Sequence, residues 1–134
     1  MLRVLIVEDS PAMRAFVRGV LEQGPEEVDV QEAGSGFDAL RLLPRGSYGL
    51  VITDINMPDI NGLELLRFVR QGPQHRDTAV LVISTMSSER DRERALALGA
   101  DVFLPKPFSP EALRDAVAKC RELRRAGAAR PEET

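Results

Sequence analysis

Five side chains able to do chemistry fall immediately after apolar runs. Glu8 and Asp9 follow Leu2 to Val7, Asp54 closes Leu50-Val51-Ile52-Thr53, Ser84 follows Ala79 to Ile83, and Lys106 comes shortly after Asp101 to Leu104. If these positions meet, three carboxylates share one cleft, and each like-charged pair at about 4 Å costs on the order of 4 kcal/mol at an effective dielectric of 20. A cation has to sit among them. Oxygen-only ligands suit Mg²⁺, and with a single histidine and a single cysteine in the chain there is no pair to hold zinc. Lys106 adds a point charge able to pair with a carboxylate or a phosphoryl oxygen, and Ser84 adds a hydroxyl. A divalent ion, a lysine and a hydroxyl around one central carboxylate are the parts that phosphoryl transfer requires. Asp54 is then the nucleophile, forming an acyl phosphate. The plainer reading is the polar rim of an α/β domain, with Asp54 a turn former.

The elements that must position these groups follow from periodicity. Segments of strand length occur at Leu2 to Val7, Val28 to Glu32, Leu50 to Thr53, Ala79 to Ile83 and Asp101 to Leu104, the third and fourth of them continuous apolar runs. Between and after them lie helices. Ser10-Pro11 caps the first, with Met13, Phe16, Val17, Val20 and Leu21 at helical spacing; Ser35 caps the second, with Ala39, Leu40 and Leu43 inward. The third runs from Gly62 to about Gln71 with Leu63, Leu66 and Val69 inward and stops at Gly72-Pro73, and the fourth runs from Ser88 to Leu98 and closes at Gly99. The stretch Ser88 to Arg94 is charged all round, which predicts a weakly held or partner-facing helix. The last helix starts at Ser109-Pro110-Glu111 and carries Leu113, Ala116, Val117, Cys120 and Leu123 inward. Strand and helix alternating five times imply a parallel sheet with helices on both faces. In such a sheet the ends of the first, third, fourth and fifth strands share one edge, which is where ligands bind.

Composition excludes several classes. With 134 residues, 43% hydrophobic and 29% charged, the chain has globular values and the size of one domain. A domain over residues 1–126 and a short flexible tail over 127–134 are expected, with no output domain attached. No apolar stretch approaches membrane-spanning length, and the first run is too short for a signal peptide. A lone Cys120 suits a reducing compartment, so a soluble cytoplasmic protein is expected. A net charge of −3 argues against nucleic-acid binding, and the arginines at 121, 124, 125 and 130 read as a solvated helix end. His75 reads as a surface loop residue, Cys120 as core, and Met13 and Met57 as packing near the proposed site.

Five fragments, in order, carry a family resemblance: Val7-Glu8-Asp9-Ser10, Thr53-Asp54-Ile55-Asn56-Met57-Pro58 with Gly62, Ser84, Gly99-Ala100, and Lys106-Pro107-Phe108. Over residues 2–124 the chain resembles the receiver domain of two-component response regulators, most of all the stand-alone chemotaxis type. The resemblance implies a flavodoxin-like α/β fold, a five-stranded parallel sheet in the order 2-1-3-4-5. It implies that Asp54 takes phosphate from a histidine kinase or a small phosphodonor. Mg²⁺ would be held by Asp9, Asp54 and the backbone carbonyl of Asn56, with Glu8 acting through water. Ser84 and Lys106 would each bond a phosphoryl oxygen, the Lys106-Pro107 bond would be cis, and Phe103 would be the switch aromatic. Phosphorylation would draw Ser84 inward, Phe103 would follow, and the face of helix four, strand five and helix five would change for an output partner. Such a protein catalyses only its own phosphorylation and slow dephosphorylation, as a monomer or weak dimer.

Departures from the family pattern bear on rate. Thr85 stands where the family usually has Ala or Gly, which narrows the mouth of the site; Ser84 replaces the commoner Thr; and the apolar Met86 lies where attacking water is controlled. Three other readings stay open. One is a phosphorelay intermediate passing phosphate to a histidine phosphotransfer protein, and one is a receiver-like binding module that works without phosphate. The last is a Mg²⁺-dependent phosphohydrolase, against which Asn56 counts because such enzymes usually carry a second acid there.

Overall fold

The computed structural model describes residues 1–85 and 88–129. Its elements are β1 (Leu2–Val7), α1 (Pro11–Glu22), β2 (Val28–Ala33), α2 (Gly36–Leu42), β3 (Leu50–Asp54), α3 (Gly62–Gln71), β4 (Ala79–Ser84), α4 (Glu89–Ala97), β5 (Val102–Pro105) and α5 (Pro110–Ala129), with one 3₁₀ turn at Leu43–Arg45. The strands form one parallel sheet in the order β2-β1-β3-β4-β5, as expected. Strand β3 lies at the centre and is buried along its whole length. Alternate strand residues feed two cores. Leu5, Val7, Val51, Val80 and Val82 pack under α2, α3 and α4, whereas Val4, Ile6, Ile52, Leu81 and Ile83 pack under α1 and α5. Each fully buried side chain of this size contributes about 1.5–3 kcal/mol, so the apolar runs at β1, β3 and β4 hold the site edge rigid.

Local signals set the helix starts. Ser10, Ser35, Asn61 and Ser88 each accept a backbone N–H of the following first turn, and Pro11 occupies the first position of α1. Gly72 closes α3, and Gly99, at φ +111°, turns the chain out of α4. In α4 only Ala95 is buried, so this helix has the smallest apolar footing its charged sequence predicts.

Several expectations need correction. His75 is buried, not a surface residue: its Nε2 lies 3.0 Å from the Gly46 carbonyl and its ring stacks on Tyr48. Phe16 and Leu123 are exposed, whereas Leu65, unassigned from the pattern, is buried. Helix α5 continues through Ala129, covering positions 127–129 that the sequence reading gave to the tail; residues 130–134, and Met86, lie outside the described residues. Two of the terminal arginines are tied down, Arg124 to Asp101 at 2.7 Å and Arg121 to Glu26. Among the described residues no helix is long and apolar enough to cross a membrane.

Candidate functional site

Strand β1 delivers Glu8 and Asp9 to the carboxyl edge of the sheet. Glu8 is almost completely buried, its amide donating to the Ala33 carbonyl at 3.0 Å while its Oε2 accepts from the Ser10 amide at 3.0 Å. Asp9, one residue on, is exposed. Strand β3 delivers Asp54, which is 6% exposed and whose Oδ1 accepts from the Ile55 amide at 2.7 Å. The chain can turn there because Gly62 follows: a Cβ on it would lie 2.0 Å from the Asp54 carbonyl oxygen, and its amide donates to Ile55 O at 2.8 Å.

The expected groups converge. Lys106 Nζ sits 2.5 Å from Glu8 Oε1 and 3.1 Å from Asp54 Oδ2, so one ammonium bridges two buried carboxylates. Glu8, Asp9 and Asp54 each bring a carboxylate oxygen within 4.8 Å of the other two. Ser84 is fully buried at the end of β4, and its carbonyl accepts from the Lys106 amide at 2.8 Å. The Lys106-Pro107 peptide is cis, as the resemblance implies. Asn56 is exposed two residues beyond Asp54, and Thr85 is exposed beside Ser84. Phe103 is half-buried and packs against the core under α2, α3 and α4.

Electrostatics follow from this crowding. Burial raises the Glu8 carboxyl above its usual range despite hydrogen bonds from Lys106 and Ser10, and Asp9 and Asp54 push it further. Burial works to lower Lys106, but Glu8 and Asp54 outweigh it and raise the ammonium above its ordinary value. Three carboxylates thus face one ammonium, and Asp9 has no ion-pair partner among the described residues. An all-oxygen cluster with this excess of negative charge fits a hard divalent cation such as Mg²⁺.

The supports of the site were not legible. Asp59 accepts from the amides of Gly36 and Phe37, and Arg14 donates to the Glu8 carbonyl; each contact joins elements whose approach no local pattern announces.

The chain matches the family model described as the response regulator receiver domain over residues 4–118. It is 41% identical over 128 residues to a probable transcriptional regulatory protein of Picosynechococcus sp., covering 92% of this chain and 49% of that protein. The chain therefore spans about half the length of that relative. It is 33% identical over 115 residues to the chemotaxis protein CheY homolog of Campylobacter jejuni, covering 85% of this chain and 88% of that one. Its fold is similar to that of the chemotaxis response regulator CheY4 of Vibrio cholerae, with a TM-score of 0.80 and 32% identity over 90% of this chain and 98% of the other. The doubly wound parallel sheet, with an acidic pocket and a lysine at its carboxyl edge, is the architecture of the CheY-like receiver domains. The chain belongs to the response regulator receiver domain family.

Proposed function

We propose that Asp54 accepts a phosphoryl group from a histidine kinase, or from a small-molecule phosphodonor, and that the modified domain engages an output partner in the manner of the chemotaxis regulators. The observation that carries this reading is the convergence of the Glu8, Asp9 and Asp54 carboxylates within 4.8 Å, with Lys106 Nζ 3.1 Å from Asp54 Oδ2. Asp9, Asp54 and the Asn56 carbonyl would hold Mg²⁺, with Glu8 acting through water. When bound, the ion supplies positive charge to the equatorial phosphoryl oxygens.

The chain's own residues do the rest. One Asp54 carboxyl oxygen attacks phosphorus; the P–O bond forms as the P–N bond to the donor imidazole breaks, and the leaving nitrogen keeps the electron pair and takes a proton. Strand β3 holds that carboxylate for in-line attack. Lys106 transfers its charge from the Asp54 carboxylate to a phosphoryl oxygen, and the Ser84 hydroxyl donates to another. Drawing Ser84 toward phosphate vacates space for Phe103, and the surface of α4, β5 and α5 shifts between two packings. Helix α4 suits that role, being held through one buried residue.

The test is incubation with Mg²⁺ and a small phosphodonor, followed by detection of an acid-stable, base-labile phosphate on the protein. Wild type should be labelled stoichiometrically and Asp54→Asn not at all. Wild-type protein without label would favour a phosphate-independent binding module, and continuous phosphate release would favour a hydrolase.

A further inference from the structure

Both loops carrying the proposed metal ligands have contacts of their own, Ser10 to Glu8 in one and Gly62 to Ile55 in the other, and both are also held from outside. In the loop after β1, which holds Asp9, the Glu8 carbonyl accepts a 2.7 Å hydrogen bond from Arg14 Nη1, and the Glu8 amide donates to Ala33. Arg14 is aimed in turn by Glu32, whose Oε1 accepts from its Nε at 3.0 Å while Oε2 accepts from Arg18 at 2.6 Å. In the loop after β3, which holds Asn56, the Asp59 carboxylate accepts from the Gly36 amide at 3.1 Å and the Phe37 amide at 2.8 Å. Glu32, Ala33, Gly36 and Phe37 all belong to one short stretch, the end of β2 and the start of α2.

Sterics agree with these contacts. A Cβ on Gly36 would come 2.6 Å from Ile60 Cβ, so the Asn56 loop rests on bare backbone there; a Cβ on Gly34 would come 3.2 Å from Arg14 Nη1. The stretch supplies no ligand of its own, yet it meets both loops that do. Groups that hold ligands in place without touching the metal commonly set its affinity.

We propose that the turn from β2 into α2 is a shared brace for both ligand loops, with Asp59 and Arg14 as positioning residues that set the affinity for the divalent ion without contacting it. The inference rests on the functional reading above and goes beyond it by placing control of metal affinity in a segment outside the pocket. Removing either residue frees one loop, so the Asn56 carbonyl or the Asp9 carboxylate must be ordered at the moment of binding.

The experiment is a Mg²⁺ titration of the full chain, followed by the amide NMR shifts of Ser10 and Asn56, in wild type, Asp59→Ala, Arg14→Met and Ser35→Ala. Ser35→Ala removes the cap of α2, a side chain that accepts from the Asp38 amide at 3.1 Å, and so weakens that helix while leaving every contact of Asp59 and Arg14 in place. Asp59→Ala and Arg14→Met should each raise the Mg²⁺ Kd about ten-fold, with Ser35→Ala near wild type. Asp59→Asn keeps an acceptor oxygen and should fall between; it carries the test if Asp59→Ala fails to fold. An unchanged Kd in the Asp59 variants, or an equal rise in Ser35→Ala, overturns the brace. Wild-type protein that takes up no Mg²⁺ would overturn the functional reading and the brace together, whereas normal wild-type binding with unchanged variants overturns the brace alone.

Discussion

The Asp59 carboxylate lies on an exposed loop, yet its pKa is held at about 2, chiefly by the Phe37 amide, which outweighs desolvation, and further by the amides of Ile60 and Gly36. Because the folded value lies below the ordinary 3.8, this group stabilises the fold above about pH 3.8, and that contribution is lost as pH falls toward about 2. The urea midpoint of Asp59→Ala should therefore lie below that of wild type at pH 6, and the gap should close between about pH 4 and pH 2. Paired unfolding curves across that range check it; a gap that persists at pH 2 would show that the contacts do not depend on ionisation. At this scale Glu8, Asp9, Asp54, Ser84 and Lys106 were legible because each terminates or follows an apolar run. Asp59 went unassigned, since its partners lie 22 and 23 positions away. His75 misled for a similar reason: its polar neighbours Gln74, Arg76 and Asp77 indicate a surface, while the Tyr48 ring and the Gly46 carbonyl that bury it come from a different loop.

Between elements, the junction of β3 with α3 is the closest fit among the described glycine positions. Gly62 abuts the Asp54 carbonyl so closely that any side chain must push the backbone away. Overpacking of this kind costs about 1–3 kcal/mol, and here it displaces the residue on which the proposed chemistry rests. Gly62→Ala should lower the free energy of unfolding by that amount and weaken phosphorylation at saturating phosphodonor, which chemical denaturation and label incorporation would measure separately. Unaltered phosphorylation in a destabilised variant would mean that the strand end tolerates the shift. The helices were readable at this scale because their caps are local: Ser10, Ser35 and Ser88 each act within their own first turn. What escaped was the second cap on α2, supplied from the Asn56 loop, and the length of α5, where the small residues after Ala126 looked like a tail but continue the helix.

For the molecule as a whole, strand and helix alternation made the parallel sheet legible, while the order 2-1-3-4-5 needed the family resemblance, because periodicity does not say which strands are neighbours. Cys120 reports on the integrity of this whole. A residue of α5, it is fully buried in the core, its Sγ lies 3.5 Å from the Val80 carbonyl, and burial first, then Asp101, pushes the thiol up to about 12. Folded protein at pH 8 should resist a thiol-specific reagent, with labelling tracking global unfolding in urea; fast labelling without denaturant would place a local opening at α5. The last strand is anchored at the opposite end from the pocket. Asp101, just before β5, accepts from the Val80 amide at 2.8 Å, Arg70 at 3.1 Å and Arg124 at 2.7 Å, and its side chain is 4% exposed. With that foot clamped to α3, β4 and α5, and the Lys106 amide tied to the Ser84 carbonyl at 2.8 Å, β5 is pinned at both ends, so a move of Phe103 is a rotation of its side chain over a stationary backbone.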